Sequence, residues 1–136
     1  MHSAVQPSAP SVANISLKRY ITMAMTARRE GALPPHWFQI LLALADDERH
    51  GAGIMQEVLE RTGGVMRLWP GMLYRNLRQL ETAGLIVEGP GPGTPEAGSP
   101  RYFRITGEGK RECAAEARRL QSFVKAARQK RLLGGR

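Results

Sequence analysis

Residues Trp69–Ile86 read WPGMLYRNLRQLETAGLI. Proline cannot continue a helix but opens one well, and glycine commonly closes one, so the stretch predicts a helix from Pro70 to Ala83 with Gly84 as its stop. Leu73, Leu77, Leu80 and Ala83 recur at spacings of 4, 3 and 3, which sets them on one face turned to a core. The other side then offers Met72, Arg75, Asn76, Arg78 and Gln79, with Tyr74 on the flank and no acid before the last turn.

Those side chains suit one kind of surface. A helix fits the major groove of B-DNA, with its N-terminal half towards the base edges. Arginine can grip guanine with two hydrogen bonds, and asparagine or glutamine can do the same with adenine. The tyrosine hydroxyl and the amides at the helix start, opened by Pro70 and beginning with that of Gly71, suit phosphate oxygens. Taken alone the face could equally be an ordinary solvated one.

The flanking sequence supplies the context. LPPHWFQILLALADD, from Leu33, opens a helix at Pro34-Pro35 whose Phe38, Leu41, Leu42 and Ala45 form an inner stripe. Trp37, Ile40 and Leu44 make it apolar nearly all round, as a central core helix is. A second helix is expected from Gly51 to Thr62, with Ile54, Met55, Val58 and Leu59 inward and Gly63-Gly64 as its stop. After Gly84, LIVE and RYFRI are β-prone and flank the loop GPGPGTPEAGSP, which predicts a hairpin. Arg101 and Arg104 at its base are placed to meet phosphate or the minor groove. Thr106 then caps a long final helix to about Arg131, in which Cys113, Ala117, Leu120, Val124 and Ala127 recur as a heptad seam.

The order predicts a mainly α fold with a small β-hairpin: a winged helix-turn-helix over 33–105 and a C-terminal dimerisation helix with a basic tail over 106–136. The final helix would reach roughly 35–40 Å, longer than the compact part, so a second subunit is the economical cover for its seam. Residues 1–14 read as a flexible tail rich in Ser, Ala and Pro, and 15–32 as a short helical extension. An alternative start at Met23 or Met25 is equally compatible with the sequence.

Bulk properties agree. The 136-residue chain suits one domain and carries a net charge of +8 with a pI near 10.6, pointing to a polyanionic partner. Charge is segregated. Val65–Leu80 holds three arginines and no acid, residues 117–136 hold seven basic residues and no acid, and acids gather at Asp46-Asp47-Glu48, Glu57 and Glu60. The single cysteine permits neither an internal disulfide nor a cysteine zinc cluster, and no apolar run approaches the ~20 residues that span a bilayer. A cytoplasmic protein without membrane attachment is expected. His2, His36 and His50 are dispersed, and GPGPG lacks the Lys-Ser/Thr of a phosphate loop. No enzyme, metal site or cofactor is therefore expected.

ILLALADDERHGAGIMQEVLERTGG, PGMLYRNLRQLETAGLI and RYFRITGEGKRE, in that order and spacing, resemble the PadR-like family of bacterial transcriptional regulators over about 33–131. The resemblance implies a homodimeric winged-helix repressor of a nearby operon, released by a phenolic acid, drug or other small ligand. It implies that Tyr74, Arg75 and their neighbours bind double-stranded operator DNA and that the helix after Thr106 dimerises, as in the small single-arm subfamily. A small-molecule inducer would lie between the head and the dimer helices, where Trp37, Phe123 and methionines could line a space. Three positions depart from the family pattern. Ala52 stands where an aromatic is frequent, Met72 where a hydroxyl is common, and Trp69 is unusually bulky at the helix entrance. The competing reading is a winged-helix protein-interaction module whose basic face binds an acidic protein.

Overall fold

The computed structural model describes residues 32–94 and 96–134. The expectations for 1–14 and for 15–32 up to residue 31 lie outside them. Helix α1 (Pro35–Ala45) is followed by β1 (Arg49–His50), α2 (Gly51–Arg61), α3 (Pro70–Thr82), β2 (Ile86–Gly89), β3 (Tyr102–Ile105) and α4 (Gly107–Gln129).

Helix α1 is the hub. Trp37, Ile40, Leu41, Ala43 and Leu44 are buried on it, while Phe38 and Leu42 pack at the margin and Ala45 is exposed. Ile54 and Val58 of α2, Leu73, Leu77 and Leu80 of α3, Leu85, Ile86 and Phe103 close around it in one cluster. Burying so many whole aliphatic side chains, each worth about 1.5–3 kcal/mol against exposure, is what holds three short helices together.

Helices α2 and α3 end alike. Gly63 and Gly84 adopt positive φ, at 61° and 79°. Around them the amides of Gly64 and Leu85 return to the carbonyls of Leu59 and Leu80, at 2.8 and 3.0 Å. This turn satisfies carbonyls that the helix leaves open and favours glycine at the left-handed residue.

The sheet is larger than expected. β2 and β3 form the predicted antiparallel wing, and β1 adds a third strand in the order β1-β3-β2. His50, expected at the turn into the second helix, is both the last residue of β1 and the residue preceding α2. Its ring lies 5.2 Å from that of Tyr102. Two polar residues carry no strand periodicity, so only the pairing itself reveals β1.

The Thr106 side chain accepts from the Gly109 amide at 3.0 Å and donates to the Gly84 carbonyl at 2.8 Å, so the cap of α4 is also tied to the end of α3. Gly109 lets α4 approach the strands: a Cβ there would overlap the Leu85 carbonyl and Ile105. One expected seam residue is corrected here. Cys113 is buried in the core of its own domain, and burial raises its thiol pKa. It shares the inner face of α4 with Gly109 and Glu116. It is therefore not available to a dimer seam. Beyond Glu116 the helix emerges, with Ala117 exposed, Leu120 and Ala127 half-buried, and Phe123 and Val124 exposed. Among the described residues no helix is long and apolar enough to cross a membrane.

Candidate nucleic-acid interface

Helix α3 sorts its residues into a wide inner face and a narrower outer one. Leu73, Leu77 and Leu80 face inward as the spacing requires. Asn76 and Gln79 face inward with them, at 7 and 4 % exposure, against the expectation that both would reach outward. The cause is position. Asn76 lies three residues after Leu73 and four before Leu80, and Gln79 three after Asn76, all on one side of a 3.6-residue helix. Their polar groups find partners there: Asn76 Nδ2 donates to the Met72 carbonyl at 2.8 Å, and Gln79 Oε1 accepts from the buried Trp37 Nε1 at 3.3 Å. Met72 is half-buried against the core.

What remains outside is compact. Pro70, Gly71, Arg75 and Arg78 are exposed, and Tyr74 is partly so. The Tyr74 hydroxyl leans over Gly51 at the start of α2, where any larger side chain would meet it. No side chain caps the start of α3. Beside it Trp69 is 61 % exposed, and the Arg67 guanidinium sits 5.4 Å above its ring. Sequence reasoning did not assign this pair, although Arg67 falls in the acid-free run Val65–Leu80.

The ion pairs divide the arginines of the head. Arg49 meets Asp46 and Glu57, Arg61 meets Glu57, and Arg101 meets Glu81 and Glu88. Arg67, Arg75, Arg78 and Arg104 meet no carboxylate among the described residues. Charge of the head without an internal partner thus lies on α3, its entrance and β3.

Of the two wing-base arginines, Arg101 does not join that set. Arg101 lies 3.1 Å from a carboxylate oxygen of Glu81, on the last turn of α3, and 3.1 Å from one of Glu88, on β2. It also covers the Phe103 ring at 4.9 Å. Hydrogen bonding to Glu88 leads the causes that raise its pKa. This arginine braces the wing against α3, and its guanidinium is engaged before any phosphate arrives. Arg104 is exposed on the sheet face opposite the buried Phe103 and borders the same surface hollow as Asp46, Asp47 and Glu48. The wing tip adds no cation, its described residues including Glu96 and no basic side chain.

Trp37 is wholly enclosed, so the expectation that it could line an inducer site is also corrected.

Comparison with known proteins bears on this arrangement. Among curated proteins none matches the chain. A transcriptional regulator from Clostridium thermocellum superposes with a TM-score of 0.58 at 22% identity, over 68% of this chain and 89% of that one. A PadR family transcription regulator from Clostridium difficile R20291 gives 0.56 at 24% identity, over 68% and 96%. Likeness at that identity speaks for the fold alone, a winged helix with a C-terminal helix. The sequence itself goes further, since residues 40–115, from the core helix through the outward arginines to the start of α4, match the family described as Transcriptional regulator PadR-like. With more than half its length so matched, the chain belongs to the PadR-like family of DNA-binding transcriptional regulators.

Proposed function

We propose that this regulator is a dimeric repressor that sets one α3 helix of each subunit into successive major grooves of a pseudo-palindromic operator, with half-sites about one helical turn, ~10 bp, apart. The observation that carries this reading is the outward pair Arg75 and Arg78, exposed and without a carboxylate partner among the described residues. Pro70, Gly71, Tyr74, Arg75 and Arg78 form the DNA face, with Arg104 at the wing base as a further phosphate contact; Asn76 and Gln79 hold α3 in place instead. Ala117, Leu120, Val124 and Ala127, emerging from the head along α4, support a two-fold seam with a second copy. Relief of repression by a small ligand is supported by the family resemblance.

Fluorescence anisotropy on duplexes from the chain's own upstream region tests the proposal. Affinity should fall steeply with salt, because each neutralised phosphate releases counterion. Arg75→Ala should cost about 1–3 kcal/mol on the operator and less on random duplex. Equal affinity of the parent for operator and random DNA would remove the operator reading. Equal losses for the variant on both would reduce Arg75 to a phosphate contact.

A further inference from the structure

The turn leading into α3 is built unlike the rest of the head. Between Met66, which packs at the core margin, and Pro70 lie Arg67, exposed, Leu68, buried, and Trp69, exposed. Val65, just before them, is 90% exposed. A tryptophan is the largest apolar side chain a protein can leave in water, and burial is its usual fate. Trp37, the other one, is fully buried with its indole N–H bonded to Gln79. The Trp69 indole N–H meets no acceptor among the described residues, although a groove lined by Ala52, Met55, Leu59 and Leu68 lies beside it.

Arg67 completes the feature. Its guanidinium lies 5.4 Å from the centre of the indole and forms no ion pair among the described residues. A ring beneath an arginine restricts where the charge can go while leaving its N–H donors open. The two side chains therefore hold one set of cationic donors and one neutral donor, side by side, at the entrance to the helix that carries Arg75 and Arg78. A phosphate oxygen pair is the chemistry that such a set fits. The indole face can meanwhile cover the apolar edge of the adjoining deoxyribose.

Resting on the major-groove reading of α3, we propose that Arg67 and Trp69 form a preorganised clamp for one phosphate on the DNA strand bordering the groove. The clamp sets where α3 starts relative to the duplex and reads no base. It acts where Met72 offers no hydroxyl and where no side chain caps the helix.

The experiment uses the full chain and its two tryptophans. In the free protein, acrylamide should quench the exposed Trp69 and leave the buried Trp37 nearly untouched. Saturating random-sequence duplex should protect the quenchable component. Arg67→Gln should flatten the plot of log affinity against log salt by about 0.9, the share of one phosphate. It should also weaken operator and random duplex alike, by about tenfold. Trp69→Phe, which keeps a ring but removes the N–H, should weaken both duplexes several-fold and leave the salt slope in place. Binding with Trp69 still fully quenchable overturns the clamp, as does an unchanged slope for Arg67→Gln or a loss confined to the operator. Failure of the parent to bind any duplex overturns the major-groove reading itself and the clamp with it.

Discussion

Gln79 shows how an amide on a helix can belong to the core rather than to the surface. The indole of Trp37 lies inside the core, and a buried N–H without a partner costs about 1–3 kcal/mol. Gln79 supplies the acceptor, while the buried Leu73, Leu77 and Leu80 hold the roll of α3 about its axis. Gln79→Leu is accordingly expected to lower stability in urea unfolding by about 1–3 kcal/mol while leaving operator affinity per folded molecule close to the parent's. A fully stable variant with weakened binding would restore Gln79 to the DNA face. Arg75 and Arg78 were legible as outward because a guanidinium is costly to bury unpaired. For Asn76 and Gln79, amide chemistry suggests base contacts, and the structure places both inside. Asn76 lies about 60° from Leu73 on the helix, and Gln79, three residues further on, sits at the edge of that face where the Trp37 indole draws it in. For short polar residues the helical period was the better guide, since an amide can be satisfied in a core and a lone charge cannot.

At the level of elements, α4 does two jobs along one length. Its first turns belong to the head, where Glu116 is buried, accepts the Leu33 amide at 3.2 Å and pairs with Arg119. The Arg119 guanidinium holds the Glu116 carboxyl below its usual 4.5, helped by the Leu33 amide and opposed by burial. A carboxyl whose folded pKa lies below its unfolded one adds stability above the unfolded value, and that stability is lost as pH falls through the folded one. Glu116→Gln should thus cost about 1–2 kcal/mol near neutrality. In thermal melts across pH its deficit should shrink once the parent is taken below the lowered pKa. A deficit that does not vary with pH would separate the stability from ionisation. The heptad spacing from Cys113 to Ala127 exposed the helix but not the change of neighbour midway, because a repeat says which residues share a face and not which body covers it. The same limit applies to β1, whose two residues become a strand only beside β3.

For the whole molecule, the proposed pairing must come from what α4 leaves bare after Glu116. Val124 is 42 % exposed on the single chain, so a charge there barely disturbs the monomer's own packing. Val124→Asp places two like charges across a two-fold seam. Sedimentation should then show a monomer, and affinity for a two-half-site operator should drop towards that for one half-site. A variant that sediments as a dimer would move the seam elsewhere on the surface. Arg101 pairs with the last turn of α3 and with strand β2 at once, so it ties the base of the wing to the end of the reading helix. A shift at the wing base would reach the end of α3 through those pairs. Evolution could retune which operators are recognised through Glu81 and Glu88, two acids that need never come near a nucleotide.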